Sequence, residues 1–187
     1  MNSGPVDVWT IDLDAPRAVL LTPDEHERAN RLRFVKDRER WTNARSGLRA
    51  VLATYLKIAP LEIGFDLGKH GKPSVQGIEF NLSHAGGWAM IAVSRAAPVG
   101  IDIEAIRHNV DIARLLERIG ETQLTGTQAE LFQVWARREA RTKAVGGPLM
   151  EIPVADLRTI DLKAPDGFAA ALAMPDREPE VTYCGGV

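Results

Sequence analysis

Val99-Gly100-Ile101-Asp102-Ile103-Glu104 alternates apolar and acidic side chains with the period of a β-strand. Ile101 and Ile103 then share one face, and Asp102 and Glu104 the other. Two carboxylates side by side repel each other. Water makes that cheap, whereas a cleft must relieve it with a raised pKa or a cation. The apolar run at 88–93 and the tight entry Pro98-Val99-Gly100 put the pair in a partly enclosed site. Two readings stand: the acids hold a hard divalent cation, or they are the wet face of an edge strand. A second group is helical. Trp135, Glu139 and Lys143 stand four apart and share a face. Glu139 and Lys143 at this spacing are also an ordinary surface pair, worth roughly 0.3 kcal/mol. Trp135 on the same stripe indicates a half-buried face, which turns Glu139 inward.

Two further groups suit anions. Gly68-Lys69-His70-Gly71-Lys72-Pro73 is a loop that brings three potentially cationic side chains close to flexible backbone; surface turns are also often rich in glycine and lysine. Ser83 and His84 end a strand, where ligand groups are commonly presented. Adjacent strand residues face opposite ways, so they are not a nucleophile and its base, and no hydrolase triad is read here. His84 is placed to donate to a phosphate oxygen.

The elements that position these groups follow from periodicity and caps. Residues 6–13 alternate as a strand. Thr22-Pro23-Asp24-Glu25 starts a helix that should run to about 34. A longer helix spans about 37–57, with Trp41, Ala44, Leu48, Leu52 and Tyr55 on one stripe and Arg38, Thr42, Arg45 and Arg49 on its neighbour. That arginine flank is either a ligand wall or a solvated basic face. Residues 63–67 make a short strand, and 78–94 a strand, glycine turn and strand. A helix is expected over 110–119 and a polar loop over 120–126. Thr127, with Glu130 three residues on, caps a helix that stops at Gly146-Gly147-Pro148. Strand-like runs follow at 157–162, 168–174 and 180–183, then a loose tail. Both halves share the order strand, helix, longer helix, strands. The expected fold is therefore α+β: two similar α/β halves, 1–97 and 98–187, related by pseudo-twofold symmetry, with the site in the cleft between them.

A chain of 187 residues with 45% hydrophobic and 26% charged residues is an ordinary globular composition. Its formal net charge of −2 carries no global signature for nucleic acid or membrane. Positive charge is local: Arg28, Arg31, Arg33, Lys36, Arg38, Arg40, Arg45 and Arg49 crowd one segment. Cys184 is the only cysteine, so neither an internal disulfide nor a cysteine metal site is possible. No secretory signal is evident, and no apolar run approaches the ~20 residues of a membrane span. A cytoplasmic monomer is expected.

Gly71-Lys72-Pro73, Phe80-Asn81-Leu82-Ser83-His84, Gly100-Ile101-Asp102-Ile103-Glu104 and Trp135-Ala136-Arg137-Arg138-Glu139-Ala140-Arg141-Thr142-Lys143 together resemble the 4′-phosphopantetheinyl transferases of the larger, pseudo-dimeric, surfactin-synthetase-activating type. The resemblance runs from about residue 22 to 149. It implies transfer of phosphopantetheine from coenzyme A to a serine of an apo acyl or peptidyl carrier protein, with Mg2+ as cofactor. It implies that Asp102, Glu104 and Glu139 hold the metal and that Lys143 contacts phosphate. Lys72, Ser83 and His84 would bind coenzyme A phosphates, and Arg40, with Arg33 and Arg45, its nucleotide end. Glu139, directly or through a metal-bound water, would take the serine proton. Arg138 stands where the family usually has lysine, which keeps the charge. Val110, Ile112 and Leu116, beside Arg107 and Arg114, either dock the carrier helix or are core. The rival functions are a metal-dependent nuclease or phosphohydrolase, and a non-catalytic module binding coenzyme A or a carrier. Against the common nuclease pattern, Ile106 holds the place where a lysine should follow the second acid.

Overall fold

The structure, a computed structural model, describes residues 5–68, 71–122, 124–146, 157–175 and 180–185. Its elements are β1 (Val6–Asp12), α1 (Pro23–Asn30), α2 (Val35–Leu56), a short 3-10 helix (Pro60–Glu62), β2 (Asp66–Leu67), β3 (Pro73–Ser74), β4 (Glu79–Ala85), β5 (Trp88–Ser94), β6 (Gly100–Ala105), α3 (Ile112–Arg118), α4 (Gln128–Val145), β7 (Leu157–Asp161), β8 (Phe168–Pro175) and β9 (Val181–Cys184). The fold is mixed α+β. One sheet has the order β4-β5-β1-β9, another β6-β8-β7, and β2 pairs with β3 alone. β1 runs antiparallel to β5 and parallel to β9, so a strand from the far end of the chain completes the sheet begun by the first.

Strand alternation explains the layering. Ile11, Phe80, Ile91 and Val93 pack with Leu48 and Leu52 of α2. Val6, Val8, Met90 and Ala92, from the opposite face, meet Ile101, Ile103, Ala170 and Leu172 of the second sheet in one cluster. The other face of that second sheet, through Ala171 and Ala173, receives Ala136, Ala140 and Ala144 of α4. These small residues let α4 come close to β6. A Cβ added to Gly100 would lie 2.1 Å from the Ala140 carbonyl oxygen, so only glycine fits there.

The two helices expected over about 22–34 and 37–57 are both present, the first ending a turn early and the second beginning two residues sooner. α1 ends at Asn30, a residue whose side chain competes with helical hydrogen bonding, and Phe34 in extended backbone opens α2. Ile112 and Leu116 are buried against Leu131, Phe132 and Ala169. They are core, and the reading of these two residues as a docking surface is corrected on that ground. The hairpin of β4 and β5 turns through Gly86-Gly87, with Gly86 at φ 53°. Lys69 and His70 of the proposed anion loop, and Gly147-Pro148 of the expected helix stop, lie outside the described residues. Among the described residues, no helix is long and apolar enough to cross a membrane.

Candidate active site

β6 pairs Asp102 with Ala171 and Glu104 with Ala169, on the face that α4 covers. The strand's acidic side is thus turned onto the helix stripe Trp135-Glu139-Lys143. Asp102 is 2% exposed, which overturns the reading of this strand as a wet edge. Glu104 accepts a hydrogen bond from Trp135 Nε1 at 3.3 Å. All three carboxyls are held above their ordinary range. Burial is the first cause in each. Asp102 is the next for Glu104, and Glu139 feels both Asp102 and Glu104. The three acids therefore face one small region.

Lys143 Nζ lies 2.5 Å from Asp102 Oδ1 and donates to Ser83 Oγ at 2.8 Å. Ser83 Oγ in turn donates to Asp102 Oδ1 at 2.9 Å. Three expected site residues from β4, β6 and α4 are thus joined in one network. Asp102 Oδ2 is buried without a hydrogen-bond partner. Among the described residues, no group of three or more His, Cys, Asp or Glu side chains is arranged to hold a metal ion. In this arrangement Lys143 supplies the positive charge at Asp102. The donor chemistry nonetheless suits a hard dication: oxygen ligands only, mutually repelling, with an unpartnered buried carboxylate oxygen.

A cleft of about 440 Å³ opens beside this network, lined among others by Arg28, Trp41, Arg45, Gly71, Leu82 and His84. A smaller cavity of about 210 Å³ shares Gly71, Pro73 and Leu82 with it and reaches Thr142 and Lys143. Ser83 is buried and the neighbouring His84 exposed, as alternation requires. Partial desolvation, then the Lys143 ammonium, hold the His84 imidazole below its usual pKa. Arg45 stacks over Phe65 with Cζ 4.0 Å from the ring centroid and pairs with Glu25. Arg40 forms a bidentate pair with Asp14, both contacts at 2.7 Å. Arg33 is exposed beside Phe34. Lys72 lines the smaller cavity but not the larger cleft, and its Nζ contacts three backbone carbonyls at the end of α4 and just before β6.

Several supporting residues carry no motif of their own. Asn81 Oδ1 accepts from the Ile101 amide at 2.8 Å, joining β4 to the free edge of β6. Glu25, recognisable as the acid of the α1 cap through its bond from the Thr22 amide, also receives Arg45 and Arg49. Arg49 bonds the carbonyls of Pro60 and Ile63 as well. One cluster so ties α1, α2 and the following turn together in the wall of the cleft.

Residues 14–96 match the family model described as 4′-phosphopantetheinyl transferase, N-terminal. The 4′-phosphopantetheinyl transferase HetI of Nostoc sp. is 35% identical over 171 residues, covering 80% of this chain and 72% of its own length. The 4′-phosphopantetheinyl transferase psf-1 of Bacillus pumilus is 31% identical over 165 residues, covering 80% and 66%. A phosphopantetheinyl transferase of Thraustochytrium sp. is 34% identical over 175 residues, covering 75% and 61%. The chain thus spans 61% to 72% of the length of these relatives.

Proposed function

The chain belongs to the 4′-phosphopantetheinyl transferase family, and from that membership we propose that it moves phosphopantetheine from coenzyme A to a serine of an apo acyl or peptidyl carrier protein. The observation that carries the assignment of roles is the network Ser83–Asp102–Lys143, whose lysine lines the smaller cavity, with Glu104 and Glu139 beside it. We assign the chain to the larger, two-half type of the family, with halves 1–97 and 98–187. The support is that each of two packed sheets carries its own long helix within one polypeptide. A cytoplasmic monomer fits this reading.

In the proposed reaction the serine hydroxyl oxygen attacks the phosphoryl group next to pantetheine. A new P–O bond forms, the diphosphate bond breaks, and a nucleoside bisphosphate departs with the bond's electrons. Asp102, Glu104 and Glu139 would hold Mg2+, which when bound supplies charge stabilisation for the diphosphate. Lys143, reached through the smaller cavity, offers its ammonium to the phosphoryl oxygens as negative charge spreads over them. Glu139 is the candidate acceptor of the serine proton, because burial and like charges raise its affinity for protons. The nucleotide end falls to the arginine-lined cleft, where Arg28, Arg45 and His84 are available, with Arg40 at Asp14 nearby.

The deciding experiment mixes the protein with coenzyme A, Mg2+ and several apo carriers and weighs the carriers. A mass gain of one phosphopantetheine on a carrier is expected. Binding of coenzyme A without any transfer would reduce the chain to a binding module.

A further inference from the structure

We propose that Lys72 is a positioning residue: its ammonium closes the C-terminal end of α4 from the other half of the fold and so holds Lys143 against Asp102. The inference rests on the transferase reading only where activity is the readout. An α-helix leaves its last four carbonyls without partners inside the helix. In α4 the Gly146 amide, in left-handed backbone, bonds the Thr142 carbonyl. The next two carbonyls are taken by a side chain far away in sequence. Lys72 Nζ lies 2.8 Å from the Lys143 carbonyl oxygen and 3.3 Å from that of Ala144. Its third contact, at 3.3 Å, is the Val99 carbonyl, immediately before β6. An ammonium has three N–H groups, and here each has a backbone acceptor. The negative end of the helix dipole adds to the attraction for a cation.

The place of this clip gives it consequence. Val99 precedes Gly100, where α4 approaches β6 so closely that no Cβ fits. One ammonium therefore fixes the end of the helix against the start of the strand. Glu139 and Lys143 lie on the last two turns of that helix, and Asp102 and Glu104 on that strand. The loop that carries Lys72 is itself held: its carbonyl accepts the Gly68 amide at 2.9 Å, and the Gly71 amide reaches the Gly68 carbonyl at 2.8 Å. A lysine bound in this way has no proton left for a phosphate, which distinguishes it from a ligand of coenzyme A.

Lys72→Met keeps the stem and removes the three donors. Amide exchange at residues 143–146 should accelerate about tenfold. The Kd for coenzyme A should stay within about twofold, and the maximal transfer rate should fall about tenfold with little change in KM for coenzyme A. Unchanged exchange in the last turn overturns the proposal, and so does a tenfold loss of coenzyme A affinity. Should the variant not fold, the wild-type chain answers the question. With 15N-labelled lysine, the Lys72 ammonium resonance should persist unshifted when coenzyme A is saturating. A large shift would mean that the ammonium moves to phosphate and would overturn the clip. A wild-type chain that transfers nothing to any carrier would instead defeat the functional reading and leave the exchange result standing.

Discussion

Lys143 Nζ and Asp102 Oδ1 are 2.5 Å apart, and Ser83 bridges the same two groups. A lysine thus neutralises the most deeply buried of the three acids assigned to the metal. Two cations cannot share that oxygen without repelling each other. Lys143→Met should therefore tighten Mn2+ binding in the absence of coenzyme A by about three- to tenfold, while transfer collapses. Calorimetric titration of both proteins checks this. Weaker metal binding by the variant would show that Lys143 organises the acids instead of competing with the ion. In a separate titration with coenzyme A at increasing Mg2+, Asp102→Ala should weaken metal-dependent coenzyme A binding, and unchanged binding would count against the metal assignment.

Glu139→Gln tests the proposed base and the electrostatics of the site at once. Its carboxyl is raised by burial first, then by Asp102. A folded pKa above the unfolded value means that ionisation at neutral pH opposes folding, because the unfolded state releases the proton more readily. Removing the charge should raise Tm by roughly 1–2 °C in metal-free buffer. Transfer should fall by at least about 100-fold. A fall in Tm would instead mean that Glu139 holds the helix through contacts of its own.

Glu25 makes the opposite case. Burial pushes its carboxyl up, but Arg49, the Thr22 amide and Arg45 outweigh burial and bring it down to about 2 from 4.5. Its ionisation therefore favours the fold fully above about pH 4.5, and that contribution is lost as pH falls towards 2. A gap of this size corresponds to about 3 kcal/mol at neutral pH. Urea unfolding of Glu25→Gln should show a loss of this order at pH 7. The difference from wild type should narrow by about 1 kcal/mol at about pH 3.5. A difference that ignores pH would place the effect in packing rather than in charge.

Gly100→Ala probes the contact between α4 and β6. The new Cβ would overlap the Ala140 carbonyl and the Ala144 amide, at 2.1 and 2.3 Å, so the helix must move. A loss of about 3 kcal/mol or more is expected, with transfer falling further than stability alone explains. Denaturant titration and initial rates at low temperature separate the two effects. Full activity in a destabilised variant would mean that the helix position is not critical.

The local parts of this design were legible in the residues themselves. Alternation alone put Asp102 and Glu104 on the face opposite Ile101 and Ile103, and the four-residue spacing of Trp135, Glu139 and Lys143 matched the stripe that faces them. Thr127 with Glu130 located the start of α4, and Gly86-Gly87 located the hairpin turn. Long-range partners were not legible, because nothing local encodes them. Asp14 meets Arg40 across 26 residues, Asn81 reaches the Ile101 amide across 20, and Lys72 meets Lys143 across 71. Ile112 and Leu116 show the same limit: an apolar helix stripe describes a core face and a docking face equally well until its neighbours are known.

The parallel pairing of β9 with β1 bears on how the polypeptide can be divided. Severing it between Ala97 and Pro98 would leave the leading fragment with a bare backbone edge along β1, because the strand that covers it travels with the trailing fragment. Two such fragments made apart should clump, whereas the same fragments made together should knit into one particle, each finishing a sheet that the other began.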